Sequence, residues 1–141
     1  MATFVADASV TLAWCFEDEA TSWTDNLLER LRHGDDIVVP AHGPAEISNG
    51  MLIGVRRKRI QPGRPELFWD ALALLPIVVE PPLSPLQAMT ILALCTQYRL
   101  TVYDAAYLEL ARRKGLPLAT LDLDLIKAAS PEGVSLLVEE L

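Results

Sequence analysis

The chain has 141 residues, 51% of them apolar, with 12 Lys and Arg against 19 Asp and Glu for a formal net charge of -7. That is the length of one domain with enough apolar side chain to fill one core, which excludes a disordered chain and two separate cores. The acidic balance excludes a protein that holds nucleic acid over a broadly basic surface, but it does not exclude a nuclease, because bound divalent cations reverse the field at an acidic site.

Thr3 to Ala6 reads as a first strand, ending at Asp7. Ala8 to Phe16 is apolar nearly all round and predicts a buried helix, closed by Glu17-Asp18-Glu19. From Thr24 to Leu31 the periodicity is helical, with Leu27, Leu28 and Leu31 on one stripe and Gly34 placed to stop it. Ile37 to Val39 is a second strand, cut off by Pro40. Pro44 suits the first turn of a helix, where its missing N–H costs nothing. On that helix Ile47, Met51 and Val55 form the apolar face, while Glu46, Asn49 and Gly50 share the opposite one.

Pro65 to Leu75 predicts another amphipathic helix, stopped by Pro76, and Ile77 to Val79 a third strand. Ser84-Pro85 is an N-cap with an N1 proline, opening a long helix to about Tyr98. Leu100 to Val102 reads as a brief strand, after which Asp104 caps a helix that ends at Arg112-Arg113-Lys114 and Gly115. Pro117 to Leu121 is a strand, Asp124 to Ala129 a short helix, and Val134 to Val138 a last strand. This alternation predicts an α/β fold, a mostly parallel sheet covered on both faces.

Other chemistries find little support. Cys15 and Cys95 lie in apolar runs, and with His33 and His42 as the only histidines there is no zinc-ligand spacing, so buried free thiols are expected. Met1 to Asp7 has no basic segment and meets an aspartate too early for a secretory leader, and no apolar run approaches the ~18 residues that span a bilayer. A cytoplasmic domain without membrane contact is the expectation.

The informative feature is where the acids stand. Asp7, Asp104 and Asp122 each follow a predicted strand, and in open parallel sheets ligands bind at the carboxyl ends of the strands. Glu46, from the helix after the second strand, overhangs the same edge, and Asp124 is the weakest candidate ligand, with capping of the last short helix as its competing role. Any one of the three aspartates could simply cap the helix after it. Together these carboxylates would repel unless protonated or bridged by cations. Mg²⁺ or Mn²⁺, which prefers oxygen ligands and is commonly held by one or two carboxylates with water and phosphate oxygens, resolves the repulsion and supplies the means of phosphodiester hydrolysis. Ser9 and Thr120 flank the acids and can hold a carboxylate or water, while Asn49 lies one helical turn from Glu46 and can orient it or touch substrate. His42 is the only histidine near this edge, and a plain loop residue is its expected role.

Four segments in order, Val5-Ala6-Asp7-Ala8-Ser9, Ala45-Glu46-Ile47-Ser48-Asn49, Tyr103-Asp104-Ala105-Ala106-Tyr107-Leu108-Glu109-Leu110-Ala111 and Leu118-Ala119-Thr120-Leu121-Asp122, resemble the motifs of PIN-domain ribonucleases. The VapC-type toxins of bacterial toxin–antitoxin modules are the nearest likeness, and it extends over essentially the whole chain as one PIN domain, 1–141. The resemblance implies a three-layer α/β/α fold, an endoribonuclease dependent on Mg²⁺ or Mn²⁺, a homodimer, and a VapB-like antitoxin through which alone the chain would meet DNA. By position, Asp7 and Asp104 would be the principal metal ligands, and Glu46 and Asp122 would complete the site directly or through water. Ala6 stands where the family often has leucine or isoleucine, a difference of packing rather than chemistry.

An acidic pocket needs basic neighbours to hold RNA. Arg56-Arg57-Lys58-Arg59 supplies four of the 12 basic residues and is the candidate phosphate contact, whereas Arg112-Arg113-Lys114 reads as a solvated helix end. Trp14, Phe16, Trp23, Leu27, Phe68 and Trp69 are expected in the core, with an antitoxin helix docking across the Phe16–Leu31 region as the competing possibility. A haloacid-dehalogenase-like phosphatase would want a second aspartate where Ser9 stands, and a receiver domain would want an aspartate where Pro40 stands. A catalytically silent PIN-like module that binds RNA or protein is the remaining alternative.

Overall fold

The computed structural model describes residues 1–138. At its centre lie β1 (Thr3–Ala6), β2 (Asp36–Val39), β3 (Ile77–Val79) and β4 (Leu118–Ala119), all parallel, in the order β3-β2-β1-β4. Val5 stands between Val38 and Leu118 in register, and Val38 in turn pairs with Val78. The two central strands are apolar without alternation because both faces are covered: Phe4, Val5, Ala6, Ile37, Val38 and Val39 are all buried. β3 closes one edge with Val78 and Val79 about half exposed, a strand too short to template pairing over any length.

Helices on both sides complete a three-layer α/β/α arrangement. α1 (Ala8–Cys15) packs on α2 (Ser22–Arg32) and on α3 (Gly43–Arg56), which carries α4 (Arg64–Leu72). α5 (Pro85–Tyr98) lies along α6 (Val102–Lys114), and α6 packs on β1 and on α7 (Leu123–Ala129). α1 and α3 come unusually close. A Cβ on Gly50 would lie 2.5 Å from Leu12, and one on Gly54 2.6 Å from the Phe16 ring, so two glycines one turn apart form the floor of the contact. Gly50 therefore belongs to the packed side of α3, not to the polar face shared by Glu46 and Asn49.

Two local expectations give way. Leu100-Thr101-Val102 is no strand: α5 ends on Arg99 with φ 55°, and the Thr101 hydroxyl accepts the Asp104 N–H at 3.1 Å as the N-cap of α6. A threonine three residues before the first-turn acid satisfies an orphan amide that a strand of three residues could not. Asp104 thus sits inside the first turn and neither caps a helix nor ends a strand. Val134 to Val138 reaches the sheet only at Leu136, through hydrogen bonds from Leu118 N to Ser135 O and from Leu137 N to Leu118 O, both 2.9 Å. β4 offers no longer edge, since Thr120 already turns toward Asp7. Of the aspartates that could cap the helix after them, Asp122 does so for α7, its Oδ1 accepting Leu125 N at 3.0 Å.

Candidate active site

Asp7 ends β1 and caps α1, accepting from Val10 N at 3.4 Å, and is 4% exposed. Two hydroxyls hold its carboxylate. Ser9 Oγ donates to Oδ1, and Thr120 Oγ1 donates to Oδ2 at 2.6 Å. Each hydroxyl also accepts a main-chain amide at 3.0 Å, Leu121 N on Ser9 and Asp122 N on Thr120. With those lone pairs occupied by N–H groups, the hydroxyl hydrogens are left to point at Asp7. The chain at the end of β4 is thereby pinned to the end of β1, and Asp122 is carried to the same edge. Burial pushes the Asp7 carboxyl up to about 6, against the hydrogen bonds of Ser9, Thr120 and Val10, with the Asp104 charge adding to the rise.

Asp104 is the hub of the acidic group. Burial raises its pKa first and the charge of Asp122 next, with Asp124 adding and His42 and the Thr101 hydrogen bond opposing. Glu46, on the first turn of α3, is likewise raised, by burial and by Asp104. Its carboxylate is fixed by the phenol of Tyr107, which donates to Oε1 at 2.8 Å, and not by Asn49, which lies exposed on the same helix. Burial and the Glu46 charge drive the Tyr107 pKa far upward, so the phenol remains a donor. His42 stands before α3 with its ring 5.3 Å from that of Tyr103 and 5.4 Å, edge-on, from that of Tyr107. Its Nε2 is buried without a hydrogen bond, 4.0 Å from Glu46 Oε1, and burial lowers its pKa against the opposing pull of the Tyr103 main chain and the Asp104 charge.

Asp104 thus feels, or is felt by, each of Asp7, Glu46, Asp122 and Asp124, while Ser9 and Thr120 hydrogen-bond Asp7. Sequence reasoning missed Tyr107 and Tyr103 and set His42 aside as a loop residue. The signals were the four-residue spacings His42 to Glu46 and Tyr103 to Tyr107, each of which places two side chains on one helix face.

A hard dication suits this donor set. The donors are all oxygen, and among the described residues Asp7, Asp104, Asp122 and Asp124 enter no ion pair. The acids do not close into a cage: no group of three His, Cys, Asp or Glu side chains in ligating position occurs among the described residues. An ion here would have to be held by one or two carboxylates, with waters and substrate oxygens filling the remaining positions.

The basic clusters lie elsewhere. Ten residues of helix put Arg56 about 15 Å beyond Glu46 at the far end of α3. Arg56, Arg57 and Lys58 are exposed there, whereas Arg59 stacks on the Phe16 ring at 4.2 Å and bridges Asp18 at 3.0 Å and Glu19 at 3.3 Å. Arg113 pairs with Glu109 and Glu80, and Arg112 with Glu132. Phe16 and Leu27 are buried in the core, while Trp14, Trp23, Phe68 and Trp69 pack against it half-buried, Trp14 donating to Thr24 O at 2.7 Å and Trp69 to Ser48 Oγ at 3.0 Å. No helix among the described residues is long and apolar enough to cross a membrane.

The PIN domain family model matches residues 4–131. No curated protein matches the sequence. Among solved structures, VapBC2 from Rickettsia felis, bound to a DNA fragment from their promoter, superposes with a TM-score of 0.68 at 14% identity, over 97% of this chain and 98% of that one. PAE2754 from Pyrobaculum aerophilum gives 0.65 at 21% identity, over 90% of this chain and 79% of that one. A toxin–antitoxin complex from Klebsiella pneumoniae gives 0.56 at 17% identity, over 84% and 86%.

Proposed function

The chain belongs to the PIN domain family, and from that premise we propose that it is a metal-dependent endoribonuclease, the toxin of a VapBC-type pair, hydrolysing RNA phosphodiester bonds. The observation that carries this reading is the buried Asp7 carboxylate, held by Ser9 and Thr120 and coupled to Asp104. Asp7 and Asp104 would hold Mg²⁺ or Mn²⁺, with Glu46, Asp122 and Asp124 completing the ligand field directly or through water. When bound, such an ion acidifies a water and offsets charge developing on the phosphate.

The protein's own groups have distinct parts. Ser9 and Thr120 aim both Asp7 oxygens, so the ligand is oriented before substrate arrives. Tyr107 occupies Glu46 Oε1 and leaves Oε2 as the atom that can take a proton. Arg56, Arg57 and Lys58 are candidate contacts for phosphates further along the strand, an outer electrostatic contribution that weakens with salt. A VapB-like antitoxin as partner is supported by the likeness to a toxin–antitoxin complex from Klebsiella pneumoniae and to VapBC2. DNA would be reached only through that partner. A homodimer in the cytoplasm completes the proposal.

Purified protein incubated with RNA and Mn²⁺ tests it. Cleavage abolished by chelation and by Asp7→Asn, with the circular dichroism of the variant unchanged, is the expected result. A fully active Asp7→Asn protein, free of contaminating nuclease, sinks the reading.

A further inference from the structure

Beside the acids lies a cavity of about 320 Å³ lined by His42, Ala45, Glu46, Asn49 and Tyr103. Its size falls at the small end of ligand pockets, which run from ~300 to ~1,000 Å³. We infer that this cavity is a nucleobase subsite, in which one unpaired base of the substrate strand stacks on Tyr103 with its edge read by Asn49. The inference rests on the ribonuclease reading and specifies which part of the strand sits next to the acids.

Three observations support a base as the occupant. Tyr103 is 59% exposed although it immediately precedes the central acid Asp104, so the fold leaves an aromatic side chain open to solvent beside the acids. That ring is placed by its neighbours: Tyr103 lies in the first turn of α6, and His42, which also lines the cavity and stacks edge-on against Tyr107, contacts it at a tilt with ring centroids 5.3 Å apart. The cavity lining contains one carboxylate and no Lys or Arg, which repels a phosphate and leaves a neutral planar group as the fitting occupant. Asn49 adds a carbonyl acceptor and an amide donor, the pair that a base edge requires. Paired bases in a helix present no free face for stacking, so the subsite selects single-stranded RNA.

Binding of short labelled single-stranded RNAs, measured by anisotropy in an Asp7→Asn background that leaves the strand intact, tests the inference. Tyr103→Ala is expected to weaken binding about 5- to 100-fold, the range of a lost aromatic–base stack, while Tyr103→Trp retains it. Asn49→Ala is expected to narrow the differences among oligonucleotides of different base. Tyr103→Ala affinity equal to the parent, or a duplex bound as tightly as its single strand, overturns the subsite. Cleavage by the wild-type protein is followed in parallel. Active protein with Tyr103-independent binding removes the subsite and keeps the nuclease, whereas inactive protein with Tyr103-dependent binding does the reverse.

Discussion

The phenol of Tyr107 reaches across 61 residues of chain to donate to Glu46 Oε1 at 2.8 Å, tying the middle of α6 to the first turn of α3. Tyr107 is fully buried, and Glu46 is half-buried with its pKa already raised by burial. The hydrogen bond is the main influence pulling that pKa back down. Tyr107→Phe removes the donor and keeps the ring against His42. We expect a loss of about 1.5–3 kcal/mol in stability, the usual cost when a hydrogen bond to a charged group goes unmade. Tyr107 acts as a positioning residue, so kcat should fall more than KM rises. The acid limb of the pH–rate profile should also move to higher pH, because Glu46 then holds its proton longer. A merely structural role would lower stability and leave that limb in place.

Asp7 makes stability depend on pH in an unusual direction. Its folded pKa, about 6, lies above the ordinary 3.8, so the folded protein binds the proton more tightly than the unfolded chain. Stability is highest below about pH 4, falls as pH rises through the interval to about 6, and is flat above it with respect to this group. At ~1.4 kcal/mol per tenfold, the ionised aspartate costs about 3 kcal/mol. Asp7→Asn keeps an oxygen to cap Val10 N and removes the buried charge, so in metal-free buffer its Tm at pH 8 should exceed that of the wild type. Denaturation curves collected between pH 4 and 8 check this; parallel curves for the two proteins would contradict it.

The parts legible in the sequence are those that one local pattern decides. β1, β2 and β3 stand out because each is an apolar run followed closely by a polar residue or proline, and Ser84-Pro85 opens α5 where expected. Leu100-Thr101-Val102 misleads because a β-prone triplet also contains an N-cap, and tertiary packing of α5 on α6 favours the cap. The positions of Asp7, Glu46 and Asp122 at one edge follow from the order of strands and helices. Tyr107 does not, since its hydroxyl meets Glu46 only after two helices from distant parts of the chain are packed. Gly50 is similarly illegible: its partner is Leu12, and nothing near Gly50 in sequence announces that contact.

Metal binding should be readable as stability without any turnover. An ion that binds only the folded chain stabilises it by mass action, about 2.7 kcal/mol at a concentration 100 times Kd. Mn²⁺ should therefore raise the Tm of the wild type. Asp104→Asn should blunt the increase, since Asp104 is the acid to which Asp7, Glu46 and His42 are all coupled. The increase should also shrink below about pH 6, where Asp7 takes up a proton in competition with the ion. An equal Tm rise in wild type and Asp104→Asn across that pH range would remove Asp104 from the ligand set.

The two close glycines separate packing from chemistry. At Gly50 the atom that a new Cβ meets is the tip of Leu12, a half-buried flexible side chain that can rotate aside. At Gly54 it is the edge of the Phe16 ring, 4% exposed and pressed from its face by Arg59. The ring cannot yield without disturbing the Arg59 pairs with Asp18 and Glu19. Gly54→Ala should thus cost about 1–3 kcal/mol, the ordinary penalty of overpacking, and Gly50→Ala clearly less, because a better helix former offsets part of its strain. Gly54 lies two helical turns from Glu46 toward the far end of α3, so the Mn²⁺-dependent rise in Tm should survive Gly54→Ala. Urea titration of both variants gives the comparison, and a Gly50→Ala protein less stable than Gly54→Ala would show that Leu12, not Phe16, is the fixed wall of the contact.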